Sequence, residues 1–205
     1  MFITFEGIEG SGKTTQQAAV ARYLVASGYE VVQTREPGGT LFGQHIRQWL
    51  LDPNHSFAHM YTEVLLFYAD RLEHVQSVIL PALQAKKVVL CDRYIDSTIA
   101  YQVGGRQIPI ALIDQLNQWV NCEPDLTILL DLDPKEGISR AKNRASLDRF
   151  EQESLAFHTR VRDRYNAIAV EHCARVKSID VSQKSPQAVF EEIKQYLDAY
   201  LGVTI

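Results

Sequence analysis

The chain has 205 residues, 46% of them hydrophobic and 22% charged, with 21 Lys and Arg set against 25 Asp and Glu for a formal charge of −4. That is the composition of an ordinary globular protein large enough to bury a core, and its length is that of one domain, taken as residues 1–205. The acidic balance excludes the global positive field that holds nucleic acid or an anionic membrane, so neither is expected as a partner and any anion site must be local.

The first element in chain order is the apolar run FITFE from Phe2, which predicts a strand. It leads into GIEGSGKT at 7–14, which fits G-x-x-x-x-G-K-[ST] in full, and helical spacing follows over 14–27 up to Gly28. Strand, glycine-rich loop and helix is the context in which backbone N–H groups and a helix N-terminus hold phosphate. Lys13 supplies a point charge there and Thr14 a hydroxyl suited to Mg²⁺.

A second strand, EVVQT from Glu30, runs into Arg35-Glu36-Pro37-Gly38-Gly39. This is either a ligand loop at the carboxyl edge of a parallel sheet or a salt-bridged Pro-Gly turn. Residues 57–86 read as a long helical stretch interrupted at Pro81, and within it Phe67 and Arg71 are four apart and share a face. They suit a planar heterocycle, through ring stacking and a fork of donors, or, as spacing alone favours, a core Phe and a surface Arg.

The third strand, VVLCD, ends in Asp92-Arg93-Tyr94. Asp92 is placed to hold Mg²⁺ through water and Arg93 to bind a phosphate, with an ordinary ion pair as the alternative. Ser97, Thr98, Tyr101 and Gln102 then put hydroxyls and an amide on one helical segment. After the fourth strand, LTILLD, Asp133 and Pro134 form an N-cap and first-turn pair opening a helix that carries Arg140 and Arg144. Residues 139–149 concentrate cations, as a lid over polyphosphate or as a solvated helix face. A helical pattern over 150–173 and a fifth strand, VKSIDV, follow.

Five near-continuous apolar strands alternating with helices predict an α/β fold with a parallel sheet. Cys91, Cys122 and Cys173 are odd in number and outside any C-x-x-C spacing, which argues against a disulfide framework and fits a reduced cytoplasmic setting. The loop alone leaves two classes open, a phosphotransferase with a second pocket and a nucleotide-driven switch. No guanine-reading N-K-x-D is present, which favours the enzyme.

Taken together, FEGIEGSGKTT, TREPGGT, LLFYADR, CDRYIDSTIAYQ, PDLTILLDLDP, SRAKNRASLDRFEQES and the IDVSQ loop resemble the bacterial thymidylate kinases in order and spacing. The resemblance implies a P-loop nucleoside monophosphate kinase fold with a short basic lid, and transfer of the γ-phosphoryl of ATP to dTMP with Mg²⁺, giving dTDP and ADP. It also implies a homodimer packed through long helices. Position by position, it implies that Gly7, Ile8, Glu9, Gly10, Ser11, Gly12, Lys13 and Thr14 hold ATP, with Val181 and Ser182 against adenine. Phe67 would stack on thymine, Arg71 and Thr98 would read its edge, Tyr101 would crowd the 2′ carbon, and Gln102 would lie beside the nucleotide. Arg93, with Arg35, Pro37 and Ser97 nearby, would hold the acceptor phosphate; Thr14 and Asp92 would serve the metal, and Glu9 would face the acceptor sugar. In the family variant whose catalytic arginine comes from the lid, the residue after the loop acid is not arginine. Gly10 matches that variant, leaving Arg140 or Arg144 for the role and Arg149 as a further lid cation.

Overall fold

The computed structural model describes residues 1–142 and 147–201. All five predicted strands form: β1 (Phe2–Glu6), β2 (Val31–Arg35), β3 (Val88–Asp92), β4 (Leu126–Asp131) and β5 (Val176–Asp180). They build one parallel sheet in the order β2-β3-β1-β4-β5. β1 is central and every residue in it is buried, which is why its sequence shows no polar alternation. Ile3 and Phe5 enter one apolar cluster with Leu90 and Ile128, while Phe2 enters another with Val89 and Cys91, so the sheet is covered on both faces. Parallel pairing brings the carboxyl ends of all the strands to one edge, with Phe5 and Arg35 both in register with Asp92.

The helices deliver side chains to that edge. α1 (Lys13–Ala26) leaves directly from the glycine-rich loop. α2 (Leu41–Leu51) is N-capped by Thr40, whose Oγ1 accepts the Gly43 N–H at 2.9 Å. α3 (Met60–His74) begins at residue 60 rather than 57, because His59 Nδ1 accepts the Tyr61 N–H and makes residue 59 the cap. It passes through a π-helical stretch, Val75–Ile79, into α4 (Leu80–Gln84). Pro81 falls in the first turn of α4, where a missing N–H is tolerated.

α5 (Ile95–Thr98) likewise runs into a π-helical stretch, Ile99–Gly105, which carries Tyr101 and Gln102. α6 (Ile110–Val120) precedes β4. α7 (Pro134–Lys142) opens as expected, with Asp133 Oδ1 accepting the Lys135 N–H at 2.8 Å. α8 (Leu155–Glu171) starts five residues later than the 150–173 pattern suggests. Asp148 Oδ1 accepts the N–H groups of Phe150 and Glu151, both at 2.9 Å, in a separate turn, and Ser154 caps the helix proper. α9 (Pro186–Leu201) closes the described chain. Among the described residues no helix is long and apolar enough to cross a membrane.

Candidate active site

The loop after β1 ends at Gly12, the N-cap of α1, which has φ 95° and offers no side chain to the first turn. The first-turn N–H groups are therefore left for a bound anion. Lys13 is buried and donates from Nζ to the carbonyl oxygens of Gly7 at 3.0 Å and Ile8 at 2.8 Å. Burial, and after it the neighbouring Arg93 charge, push this ammonium down to about 8. Thr14 Oγ1 donates to Asp92 Oδ2 at 2.8 Å, so the two residues expected to serve a metal are in contact. A hydroxyl and a carboxylate beside a phosphate loop are the hard oxygen donors that Mg²⁺ takes together with phosphate and water. Among the described residues there is no group of three or more His, Cys, Asp or Glu able to hold a metal without such help.

A cleft of about 740 Å³ extends from this loop between β2, α2, α3 and the stretch after β3. Arg93 lies on the floor nearest the loop. Its Nη1 donates to Gly7 O at 3.0 Å, its Nη2 to Glu9 Oε1 at 2.9 Å, and its guanidinium lies over the Tyr101 ring, 4.9 Å from the centroid. Glu9 also accepts the Tyr101 hydroxyl at 2.6 Å. Burial alone would raise the Glu9 carboxyl, yet Arg93, Lys13 and the Tyr101 bond outweigh it and hold the group ionised. An acid among anion-binding groups is thus accounted for, since it neutralises Arg93.

At the far end, Phe67 and Arg71 both face the cleft. Arg71 is buried with 1% exposure and is not the surface arginine that the spacing alone allowed. Its Nε donates to Glu36 Oε2 at 2.8 Å and its Nη2 to Thr98 Oγ1 at 2.9 Å, while Nη1 is buried with no partner among the described residues. A guanidinium with one nitrogen unspent at a cleft wall is placed to meet a planar ligand edge. The Phe67 ring lies 6.0 Å from that of Phe150. Gln102 lines the same wall and donates to Glu63 Oε1 at 3.0 Å, and Ser97 and Thr98 complete it.

Arg35 and Pro37 line the β2 side. There Arg47, which motif reading passed over, enters from α2 and donates to Pro37 O at 2.9 Å. Burial first, then Arg35 and Arg93, lower its guanidinium, so three cations converge on one region. The signal for it was the α2 face: Gly43, Arg47 and Leu50 recur at helical spacing and two of them are buried. Asp148 and Phe150, also unassigned by motif, close the cleft from the turn before α8.

The basic segment divides on inspection. Arg140 Nη1 reaches Gly10 O at 3.3 Å, and its Nη2 pairs with Glu136 at 2.6 Å. Arg149, expected among the lid cations, instead anchors the turn: it pairs with Glu63 Oε2 at 2.6 Å and donates to Leu50 O at 2.9 Å. A buried carboxylate on α3 captures it, a partner that local spacing could not reveal. Arg144 lies outside the described residues. Val181 and Ser182 stand beyond the cleft lining, at the carboxyl end of β5, where Val181 N–H donates to Asp131 O at 3.0 Å. The far end of that loop is tied to α1 by the Gln16 side chain, which donates to Pro186 O at 2.9 Å.

A phosphate loop after the central strand of a parallel sheet, abutting a second cationic pocket, defines a P-loop nucleoside monophosphate kinase. The family described as thymidylate kinase matches residues 5–193. Over 200 residues the chain is 46% identical to the thymidylate kinase of Acinetobacter baumannii, covering 96% of this chain and 100% of that protein. It is also 46% identical over 210 residues to that of Desulfovibrio desulfuricans, covering 98% and 96%. The crystal structure of thymidylate kinase from Ehrlichia chaffeensis matches with a TM-score of 0.77 and 41% identity, covering 96% of this chain and 98% of that one. The chain belongs to the thymidylate kinase family.

Proposed function

We propose that residues 1–205 act as one catalytic unit that moves the γ-phosphoryl of ATP to dTMP, giving ADP and dTDP. The observation that carries this reading is the meeting of Lys13 Nζ and Arg93 Nη1 on one atom, Gly7 O, each at 3.0 Å. Donor and acceptor phosphates bound by these cations are brought side by side, as in-line transfer requires. The residues from Gly7 to Thr14 cradle the triphosphate, and Arg93 with Arg35 and Arg47 takes the acceptor phosphate. Phe67 stacks on the base, the free Nη1 of Arg71 meets its edge, and Tyr101 with Glu9 borders the sugar.

Thr14 and Asp92 would hold Mg²⁺, which when bound neutralises charge on the transferring phosphate. Arg140, whose Nη1 reaches Gly10 O at 3.3 Å across the loop, is one lid candidate for the transition-state charge, and Arg144 is the other. Val181 and Ser182 border adenine. The exposed Leu41, Phe42 and Trp49 of α2 and Met60 and Leu65 of α3 support a homodimer packed through these helices. The free cysteines support a cytoplasmic setting.

Coupled ADP release measured with dTMP, dUMP, dCMP, dGMP and thymidine tests the reading. Stimulation greatest with dTMP is expected. No stimulation above basal ATP hydrolysis would exclude the acceptor assignment, and stimulation by thymidine alone would make the acceptor a nucleoside.

A further inference from the structure

Glu6, the last residue of β1, has 0% exposure and no place in the substrate contacts described above. Its Oε1 accepts the Tyr94 N–H at 2.7 Å, and its Oε2 accepts the hydroxyls of Ser97 at 2.5 Å and Tyr165 at 2.9 Å. All three donors frame Arg93. Tyr94 follows it in the chain, and Arg93 has φ 68°, a left-handed conformation that a residue with a side chain holds only when its surroundings over-determine it. The Arg93 N–H is fixed to Phe5 O at 2.9 Å, and the Tyr94 N–H is fixed to Glu6, so both sides of the strained residue are pinned to β1.

The side chain is held by the same acid. Ser97 Oγ and Tyr165 OH accept from Arg93 Nη1 at 3.2 and 3.4 Å. In its ionised form, above the value of about 7 to which burial and then the Asp96 charge raise it, Glu6 accepts from both hydroxyls, draws their protons toward itself and leaves their lone pairs to face the guanidinium. The nearby Asp96 does not compete for Arg93, because Arg175 binds it through two nitrogens at 2.7 and 2.9 Å.

We propose that Glu6 is a positioning residue for the acceptor phosphate: without touching substrate, it fixes the backbone and side chain of Arg93 through Tyr94, Ser97 and Tyr165. The proposal rests on the reading of Arg93 as the acceptor-phosphate ligand. It is tested by titrating dTMP and thymidine calorimetrically into the wild type, Glu6→Gln and Arg93→Ala, since the two ligands differ only in the phosphate.

Glu6→Gln keeps an oxygen for Tyr94 but presents an N–H pair to the two hydroxyls, turning their protons toward Arg93. It is expected to weaken dTMP about tenfold and to leave thymidine within about twofold, the size of one misdirected charge-assisted hydrogen bond. A merely structural role would weaken both ligands together, and that result, or no change in either, overturns the proposal. If Arg93→Ala leaves the preference for dTMP over thymidine intact, the reading of Arg93 fails and the proposal with it. Loss in Arg93→Ala but not in Glu6→Gln removes the role of Glu6 alone. Should circular dichroism show Glu6→Gln unfolded, Tyr165→Phe replaces it, with dTMP weakened about threefold and thymidine unchanged; an unchanged ratio is equally fatal.

Discussion

Gly10 in the phosphate loop and Gly137 in α7 lie where the loop and the helix pack too closely for a side chain at either position. A Cβ on Gly10 would lie 2.7 Å from Gly137 O, and one on Gly137 would lie 2.7 Å from Glu9 O and 2.8 Å from Ile8 Cδ1. Gly10 also has φ 74°, which favours glycine on its own account. The helix that opens the basic segment is thus seated on the phosphate loop itself, and it brings Arg140 to Gly10 O. A side chain at position 10, arginine included, would displace α7.

Gly137→Ala should therefore act on catalysis without altering any charge. The added methyl forces α7 off the loop, and kcat is expected to fall at least about tenfold with a stability loss of about 1–3 kcal/mol from overpacking. Steady-state kinetics with urea denaturation measure both. Normal kcat would show that α7 does not need its seat on the loop.

Lys13→Ala should cripple transfer while leaving the fold intact. Its ammonium is held by two carbonyl oxygens and is pushed down to about 8 by burial and Arg93, so removing it relieves a confined cation rather than breaking an ion pair. A loss of about 10²–10³ in kcat is expected, the scale for one preorganised donor at a developing charge. Near-normal kcat would remove Lys13 from the phosphates.

Arg71→Ala should harm stability as well as acceptor binding. Among the described residues it leaves the Glu36 carboxylate, 3% exposed, with only His74 Nδ1 at 2.9 Å. Breaking a buried pair from one side costs about 3–5 kcal/mol, and adding Glu36→Gln should restore part of it. Denaturation of the single and double variants measures this, and additive losses would refute the pairing. Arg71→Lys should keep more of the stability yet raise the dTMP KM, because a point charge cannot present the fork.

Asp70 gives a pH signature. Its Oδ1 accepts the Gly38 N–H at 3.1 Å, its Oδ2 is buried without a partner among the described residues, and burial followed by the Glu36 charge pushes the carboxyl from 3.8 up to about 6. The folded state holds this proton more tightly than the unfolded chain. The stabilising contribution is complete below pH 3.8 and is lost as pH rises through about 6. Asp70→Asn removes the titration, so the stability of wild type relative to the variant should decline by about 3 kcal/mol between pH 3.5 and 7, as a shift of roughly two pH units implies. Parallel denaturation curves across that range would refute it.

Much of the site was legible because its parts are local. The strands are apolar runs bounded by Gly and charged residues, and the phosphate loop is eight consecutive residues whose backbone does the binding. Phe67 and Arg71 share a face by helical spacing alone. Helix starts were less legible: the caps His59 and Ser154 shorten the patterns at 57 and 150, because a capping side chain competes with hydrophobic periodicity.

The sequence by itself determined the parallel sheet, the loop and the candidate contacts at each strand end, since strand propensity, glycine freedom and helix spacing act over a few residues. Only the tertiary structure decided which charge meets which. Glu36 and Arg71 are 35 positions apart, Glu9 and Arg93 84, and Glu63 reaches across to Arg149. Each pairing is set by which strands are neighbours and which helix lies over them, and burial then makes it strong. The same packing turned Arg71 from a surface residue into a buried one, tied Arg149 down instead of leaving it to a lid, and brought Arg47 to the cleft.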